Sequence, residues 1–139
     1  MEQVFHEIKI NTNGQGFYDF TNKTISWLNK QKIVNGMLNI NILHTSASLV
    51  IQENADPDVL YDLKNFFDKL VPMNNKFYKH TTEGKDDMPA HIKSTLTNNQ
   101  LTLSFKNKKL ILGDWQGLYL FEHRLENHTR TLTHHLIGE

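Results

Sequence analysis

The 139-residue chain sets 15 basic against 15 acidic residues, so no overall field draws it to nucleic acid or to an anionic membrane, and neither is expected as a partner. It has no cysteine, which excludes disulfides, thiolate metal ligands and cysteine nucleophiles and leaves imidazole, carboxylate, hydroxyl and amide as the working groups. No run approaches the roughly 18 apolar residues of a membrane span, the opening Met1 to Glu7 lacks the basic start of a signal peptide, and the length suits one domain over residues 1–139, so a cytoplasmic location is expected.

From Val4 to Ile10 apolar and polar residues alternate, which predicts a half-buried first strand, and Asn13-Gly14 then turns the chain. Asp19 or Thr21 caps a predicted helix through Ile25, Trp27 and Leu28, closed by Asn35-Gly36. Met37–Leu43 and Leu49–Gln52 read as strands bracketing a polar turn, His44-Thr45-Ser46-Ala47-Ser48. Asp56-Pro57 starts a helix whose apolar residues Val59, Leu60, Leu63, Phe66, Phe67 and Leu70 recur at helical spacing, predicting a stripe packed on the core and an end near Pro72. Residues 73–89 have no apolar period and read as a long loop carrying His80, Asp86 and Asp87, followed by a short helix from about Pro89 with His91 in its first turn. A hairpin around Asn107 joins Leu101–Phe105 to Lys109–Leu112, and strands over Gln116–His123 and Thr131–Ile137 complete the chain. The class is α+β, a largely antiparallel sheet system against two or three helices.

Eight histidines are dispersed along this length. The adjacent pair His134 and His135 points to opposite faces of a strand and is assigned to surface or packing. His44, His80 and His91 lie on three different elements, and three imidazoles on separate supports can hold a divalent metal (Zn, Mg or Mn) with an open position, Glu53, Asp86 or Glu122 supplying oxygen. The same His44, Glu53, Asp86, His91 and Glu122 serve equally as acid–base groups without a metal. Thr45, Ser46, Lys85 and Arg124 are candidates for meeting an anion, the hydroxyl of Ser48 standing beside them. In Gly113-Asp114-Trp115-Gln116-Gly117, Trp115 is either the wall of a pocket for a planar ring or a core anchor, and Gln116 both donates and accepts hydrogen bonds. No Walker loop, dinucleotide fingerprint or serine-hydrolase elbow is present.

Three segments, His44-Thr45-Ser46-Ala47, Asp86-Asp87-Met88-Pro89-Ala90-His91 and Gly113-Asp114-Trp115-Gln116-Gly117, appear in an order that resembles the YjbQ-like family, often labelled secondary thiamine-phosphate synthases. Asp56-Pro57-Asp58 and the closing Leu136-Ile137-Gly138-Glu139 fit as well, so the resemblance runs from about Phe5 to Glu139. It implies a compact sandwich-like fold assembled as a homotrimer, weak thiamine-phosphate synthase activity on a small phosphorylated or otherwise anionic ligand, and the pocket-wall role for Trp115. The alternative is a non-catalytic metal- or ligand-binding homotrimer. The chain departs from the family pattern at Asp114, where threonine is usual, and at Asp87, where asparagine is usual. The resulting Asp86-Asp87 pair is expected to raise one carboxyl pKa or to demand a cation nearby.

Overall fold

The alternation that starts at Val4 extends in both directions into a twelve-residue strand, β1 (Glu2–Asn13), in the computed structural model, which describes residues 1–139 with every side chain but that of Asn75. Gly14 makes the turn with φ +116°, open to glycine and costly for other residues. The next strand, β2 (Gly16–Asp19), is one that patterning does not reveal, four residues being too few to show a period. Helix α1 (Thr21–Asn29) follows, with the Asp19 carboxylate accepting from the Thr21 amide at 2.9 Å and its hydroxyl at 2.6 Å. Strands β3 (Gly36–Ile42) and β4 (Ala47–Glu53) flank the polar turn. Helix α2 (Pro57–Leu70) begins as expected, Pro57 in the first turn and Asp56 accepting from the Asp58 amide at 2.9 Å. A single 3-10 turn at Asn75–Phe77 precedes α3 (Asp87–Leu96), and β5 (Gln100–Lys106), β6 (Lys109–Leu110), β7 (Gln116–Glu122) and β8 (Asn127–Gly138) complete the order.

The strands form two antiparallel sheets, β1-β8-β3-β5-β6 and β2-β7-β4, and with three helices the fold is α+β. One apolar core joins them: Leu38, Ile40, Leu132 and Leu136 from the first sheet and Leu49, Leu118 and Leu120 from the second are fully buried, with Phe20 and Leu28 of the α1 region between them. Each such side chain contributes about 1.5–3 kcal/mol by leaving water. Strand β8 pairs with β1 along its length, Glu2 opposite Gly138 through Asn13 opposite Asn127, and with β3 on its other side. Side chains are excluded where these ends meet, because a Cβ on Gly138 would stand 1.9 Å from the Asn35 carbonyl oxygen. The β5–β6 hairpin turns through Asn107 and Lys108, both at positive φ, the pattern of a two-residue I′ turn. Among the described residues no helix is long and apolar enough to cross a membrane.

Two helices differ from expectation. The stripe of α2 is not a buried one, for none of its residues is fully buried and Phe66 and Leu70 are 57% and 53% exposed. The helix lies on the small second sheet, whose three strands cannot cover it, so Phe67 packs edge-on against Phe121 of β7 while Phe66 faces outward. Helix α3 starts at Asp87, not near Pro89, because proline is tolerated within the first turn of a helix, where its missing amide has no partner to lose. That earlier start moves His91 to the second turn and sets it four residues after Asp87 on one helix face.

Candidate functional site

The α3 start gathers a cluster. The Asp87 carboxylate, 2% exposed, takes His80 Nε2 at 2.6 Å and His91 Nε2 at 3.2 Å on the same oxygen, Oδ2. Its other oxygen accepts from Arg124 Nη1 at 2.6 Å, while Arg124 Nε donates to Asp86 Oδ2 at 2.9 Å and Nη2 to the Glu83 carbonyl at 2.9 Å. Gly84, at φ +109°, bends the loop so that this carbonyl faces the guanidinium, and a Cβ there would meet Asp86 Oδ1 at 2.9 Å. The ligand atoms of His80, Glu83, Asp87 and His91 all lie within 4.8 Å of one another, close enough for one metal ion to gather them by small side-chain rotations.

Arg124 is the cation that the paired aspartates require. Burial pushes the Asp86 carboxyl up, but the Leu125 amide and the Arg124 guanidinium reverse it, and the net pKa lies below the usual range. Burial likewise raises Asp87, and the His80 imidazole and Arg124 carry it below the usual value. The expectation that one of the pair is raised is therefore corrected: both are held ionised by hydrogen bonds to charged or polar donors. The partner effect appears at His80, whose pKa is raised chiefly by the hydrogen bond to Asp87.

Hydrogen bonds fix which ring nitrogens are free. The carbonyl oxygen of Thr45, 3.0 Å from His91 Nδ1, can only accept, so Nδ1 carries a proton and Nε2 is the nitrogen turned to Asp87 Oδ2. Nε2 and Oδ2 stand 3.2 Å apart, a contact bridged by a second ring proton or, in its place, by a metal ion. This orientation, one imidazole nitrogen anchored on a backbone carbonyl and the other aimed at a carboxylate, is the common support of a metal-ligating histidine. His44 is oriented the opposite way. Its Nε2 accepts from the Thr131 amide at 2.8 Å, so Nδ1–H is a donor, and burial, then Arg130, lowers its pKa. His44 is thus a neutral hydrogen-bond donor with no lone pair to spare, which takes it out of the expected set of His44, His80 and His91 as metal ligands.

His44 and His91 nonetheless share a space, a basin of about 840 Å³ walled by α3, the Thr97–Gln100 connection and the β3–β4 turn that contains Thr45. Backbone hydrogen bonds pin that connection, the Leu49 amide to the Asn98 carbonyl at 2.7 Å and the Ile42 amide to the Asn99 carbonyl at 3.1 Å.

The other candidates fall elsewhere. Glu122 is fully buried, both oxygens taken by Arg130, with Thr12 at 2.6 Å on one and the His123 amide at 3.1 Å on the other. Burial raises its carboxyl and the Arg130 pairing overrides this to a net low pKa. Ser46 is buried against Arg130 Nη2 at 3.0 Å, and Ser48 against His123 Nε2 at 2.9 Å. Lys85 is exposed on the loop before α3 and lies outside the basin lining. Glu53, Trp115 and Gln116 are at the far end of the β4–β7 ladder: Glu53 is opposite Gln116, Ala47 is opposite Glu122, and the span between is about 20 Å. There Glu53 accepts from the Asp56 amide at 3.3 Å, Gln116 Oε1 closes a turn on the Gly113 amide at 2.7 Å, and Trp115 is 65% exposed. Trp115 is neither core anchor nor part of the basin lining. Residues that sequence reasoning passed over include Glu83, Asn98 and Asn99, and Asp87 in its role as hub. The spacing Asp87-x-x-x-His91 is the signal that finds the hub once the helix start is placed correctly.

The same arrangement of elements recurs in known proteins. A crystal structure of an uncharacterized conserved protein of the YjbQ/UPF0047 family from Clostridium acetobutylicum superposes with a TM-score of 0.84 at 34% identity, covering 96% of this chain and 99% of that one. UPF0047 protein sll1880 of Synechocystis is 46% identical over 94% of this chain and 88% of its own length, and UPF0047 protein YjbQ of Salmonella typhimurium is 40% identical over 95% and 96%. With the UPF0047 YjbQ-like family model matching residues 6–139, a span that takes in β3 through β8 and the whole of the His80–Asp87–His91 cluster, the chain belongs to the UPF0047 YjbQ-like family.

Proposed function

We propose that the chain binds a divalent metal ion through His80, Asp87 and His91, with Glu83 at the rim, and uses it as a Lewis acid on a small molecule held in the adjoining basin. The observation that carries this reading is the convergence of His80, Glu83, Asp87 and His91, whose ligand atoms all lie within 4.8 Å of one another. Two imidazole nitrogens with one or two carboxylates suit Zn or Mn better than Mg, which prefers an all-oxygen shell. Arg124 then acts from behind, holding Asp87 by one oxygen and leaving the other for the metal. Addition of zinc or manganese to metal-free protein is expected to raise the melting temperature through preferential binding to the folded state. Asp87→Asn should remove the rise, and a wild-type protein that shows none at saturating metal would sink the proposal.

The thiamine-phosphate synthase activity implied by family resemblance fits as a side reaction of such a centre. A pyrophosphate leaving group needs positive charge, and with Arg124 committed to Asp86 and Asp87 only the metal remains to supply it, which keeps such an activity weak. Product formation from the pyrimidine pyrophosphate and thiazole phosphate, measured against Asp87→Asn as background, tests it. The binding-only alternative predicts ligand held and released unchanged in the same assay. The homotrimer belongs to the proposal through Trp115, which stands too far along β4–β7 to reach its own basin and can serve one only from a second copy. Light scattering that reports monomers removes that role.

A further inference from the structure

We infer that the basin beside His91 takes a neutral, polyhydroxylated aliphatic molecule of the polyol or sugar class in preference to a phosphorylated one. This rests on the metal reading only for the second point of attachment. Among the described residues the lining contains no lysine, arginine or carboxylate. The nearby arginines are saturated, Arg124 by Asp86, Asp87 and the Glu83 carbonyl, and Arg130 by Glu122 and Ser46. Buried Lys93 is engaged with Asp68 at 2.7 Å. With a divalent ion in place, the three carboxylates Glu83, Asp86 and Asp87 and the one guanidinium leave the centre near neutrality, without the surplus charge that a polyanion needs.

Hydrogen-bond direction in the lining favours a neutral hydroxylated ligand as well. Three hydroxyls of the lining have given their protons to backbone carbonyls: Ser94 to Ala47 at 3.2 Å, Thr95 to His91 at 2.9 Å and Thr97 to Lys93 at 2.8 Å. What they keep for the basin is oxygen lone pairs, which attract ligand O–H groups and repel phosphate or carboxylate oxygens. Donors are interleaved with them: His44 Nδ1–H, the carboxamides of Asn98 and Asn99, and Gln100 and Thr102, whose oxygens accept from Asn39 and whose own protons are left to the basin. Alternating donors and acceptors match a molecule whose every hydroxyl is both. His91 belongs both to the basin lining and to the proposed metal ligands, so a polyol in the basin would lie beside the metal.

The experiment is a pair of titrations on the full chain, loaded with zinc and metal-free, followed by the side-chain amide resonances of Asn98 and Asn99. The probes are ribitol, D-xylose and inorganic pyrophosphate. Ribitol or xylose is expected to shift these resonances, with Asn98→Ala weakening the affinity roughly tenfold, the loss of about one well-placed hydrogen bond. Pyrophosphate should leave them in place. The inference is overturned if pyrophosphate moves the Asn98 and Asn99 signals at lower concentration than either neutral probe, or if neither neutral probe moves them up to its solubility. Failure of the metal reading looks different: zinc then gives no thermal shift while the neutral probes still bind. Zinc that stabilises the chain but leaves both neutral probes unbound removes the ligand class and keeps the metal.

Discussion

Two carboxylate–arginine clusters lie almost side by side along the end of β7, one built on Glu122 and one on Arg124, and they differ in how much of their hydrogen-bonding capacity is spent. Glu122 is sealed: Arg130, Thr12 and two backbone amides account for both oxygens, and Arg130 finishes on Ser46. The cluster of Asp86, Asp87 and Arg124 is equally well paired on its inner side, yet on its outer side it leaves two imidazole nitrogens converging on one oxygen of Asp87, with the loop carboxylate of Glu83 on the His80 nitrogen. The closed cluster ties β1, β7, β8 and the polar turn together. The open one has valence left over, and leftover valence at a defined point is what a ligand can use.

Breaking the closed cluster should cost most. Arg130→Met strands the buried Glu122 carboxylate, and a loss of about 3–5 kcal/mol in urea unfolding is expected. A change under about 1 kcal/mol would mean that Glu122 takes a proton at little cost, erasing the contrast. Acid should come next. Burial lowers His123 to about 3 and His134 to about 4 from an ordinary 6.5, so the unfolded chain binds protons that the folded chain refuses as pH falls below 6.5. The carboxylates of Glu122, Asp86 and Asp87, all depressed, add to the loss at lower pH as it approaches their folded values. His80, raised, works the other way, but it is exposed and screened. The His123 effect alone amounts to about 2 kcal/mol near pH 5, and His123→Gln should flatten the melting temperature between pH 7 and 5. An unchanged pH slope in that variant would assign the acid lability elsewhere.

The open cluster should respond in metal affinity more than in fold. Arg124→Gln is expected to weaken zinc binding about 10- to 100-fold, as loss of an outer-shell partner does, and acidification through the raised pKa of His80 should weaken it further because the metal displaces that proton. A calorimetric titration unchanged in the variant would detach Arg124 from the centre. The smallest effect belongs to Trp115→Ala. With 65% of the residue in solvent, stability should move by no more than about 0.5 kcal/mol, and a loss of several kcal/mol at fixed protein concentration would reveal that the indole is covered by another copy.

Elements with a strong local signal were legible in the sequence: the alternating β1, the Asp56-Pro57 cap of α2 and the Asn107 turn each depend on residues close together in the chain. What escaped depended on partners far away. β2 is a strand because β7 lies beside it, and α2 leaves Phe66 exposed because the small sheet is too narrow to cover it. At the site, His80, Asp86, His91 and Arg124 could be named from residue type and spacing, and the geometry unites them. Glu122, Ser46 and Trp115 could be named too, but chemistry-bearing residue types do not reveal whether their lone pairs are spent inside or whether they face away. Asp87 was hidden by one boundary: a helix read from Pro89 leaves it in a loop, and a helix from Asp87 makes it the neighbour of His91.

The place of β8 in the first sheet has a consequence for biogenesis. It is synthesised after every other element, yet it lies between β1 and β3 and joins them, with Ile8 and Ile42 both opposite Leu132. A nascent chain that has emerged only through β7 therefore holds two hydrogen-bonding edges that must wait for each other's missing neighbour, and such distant pairing closes slowly. During translation those edges are open to the same edges on adjacent ribosomes. Slower elongation before Asn127 should lower the soluble yield, whereas refolding the finished chain at high dilution should not suffer.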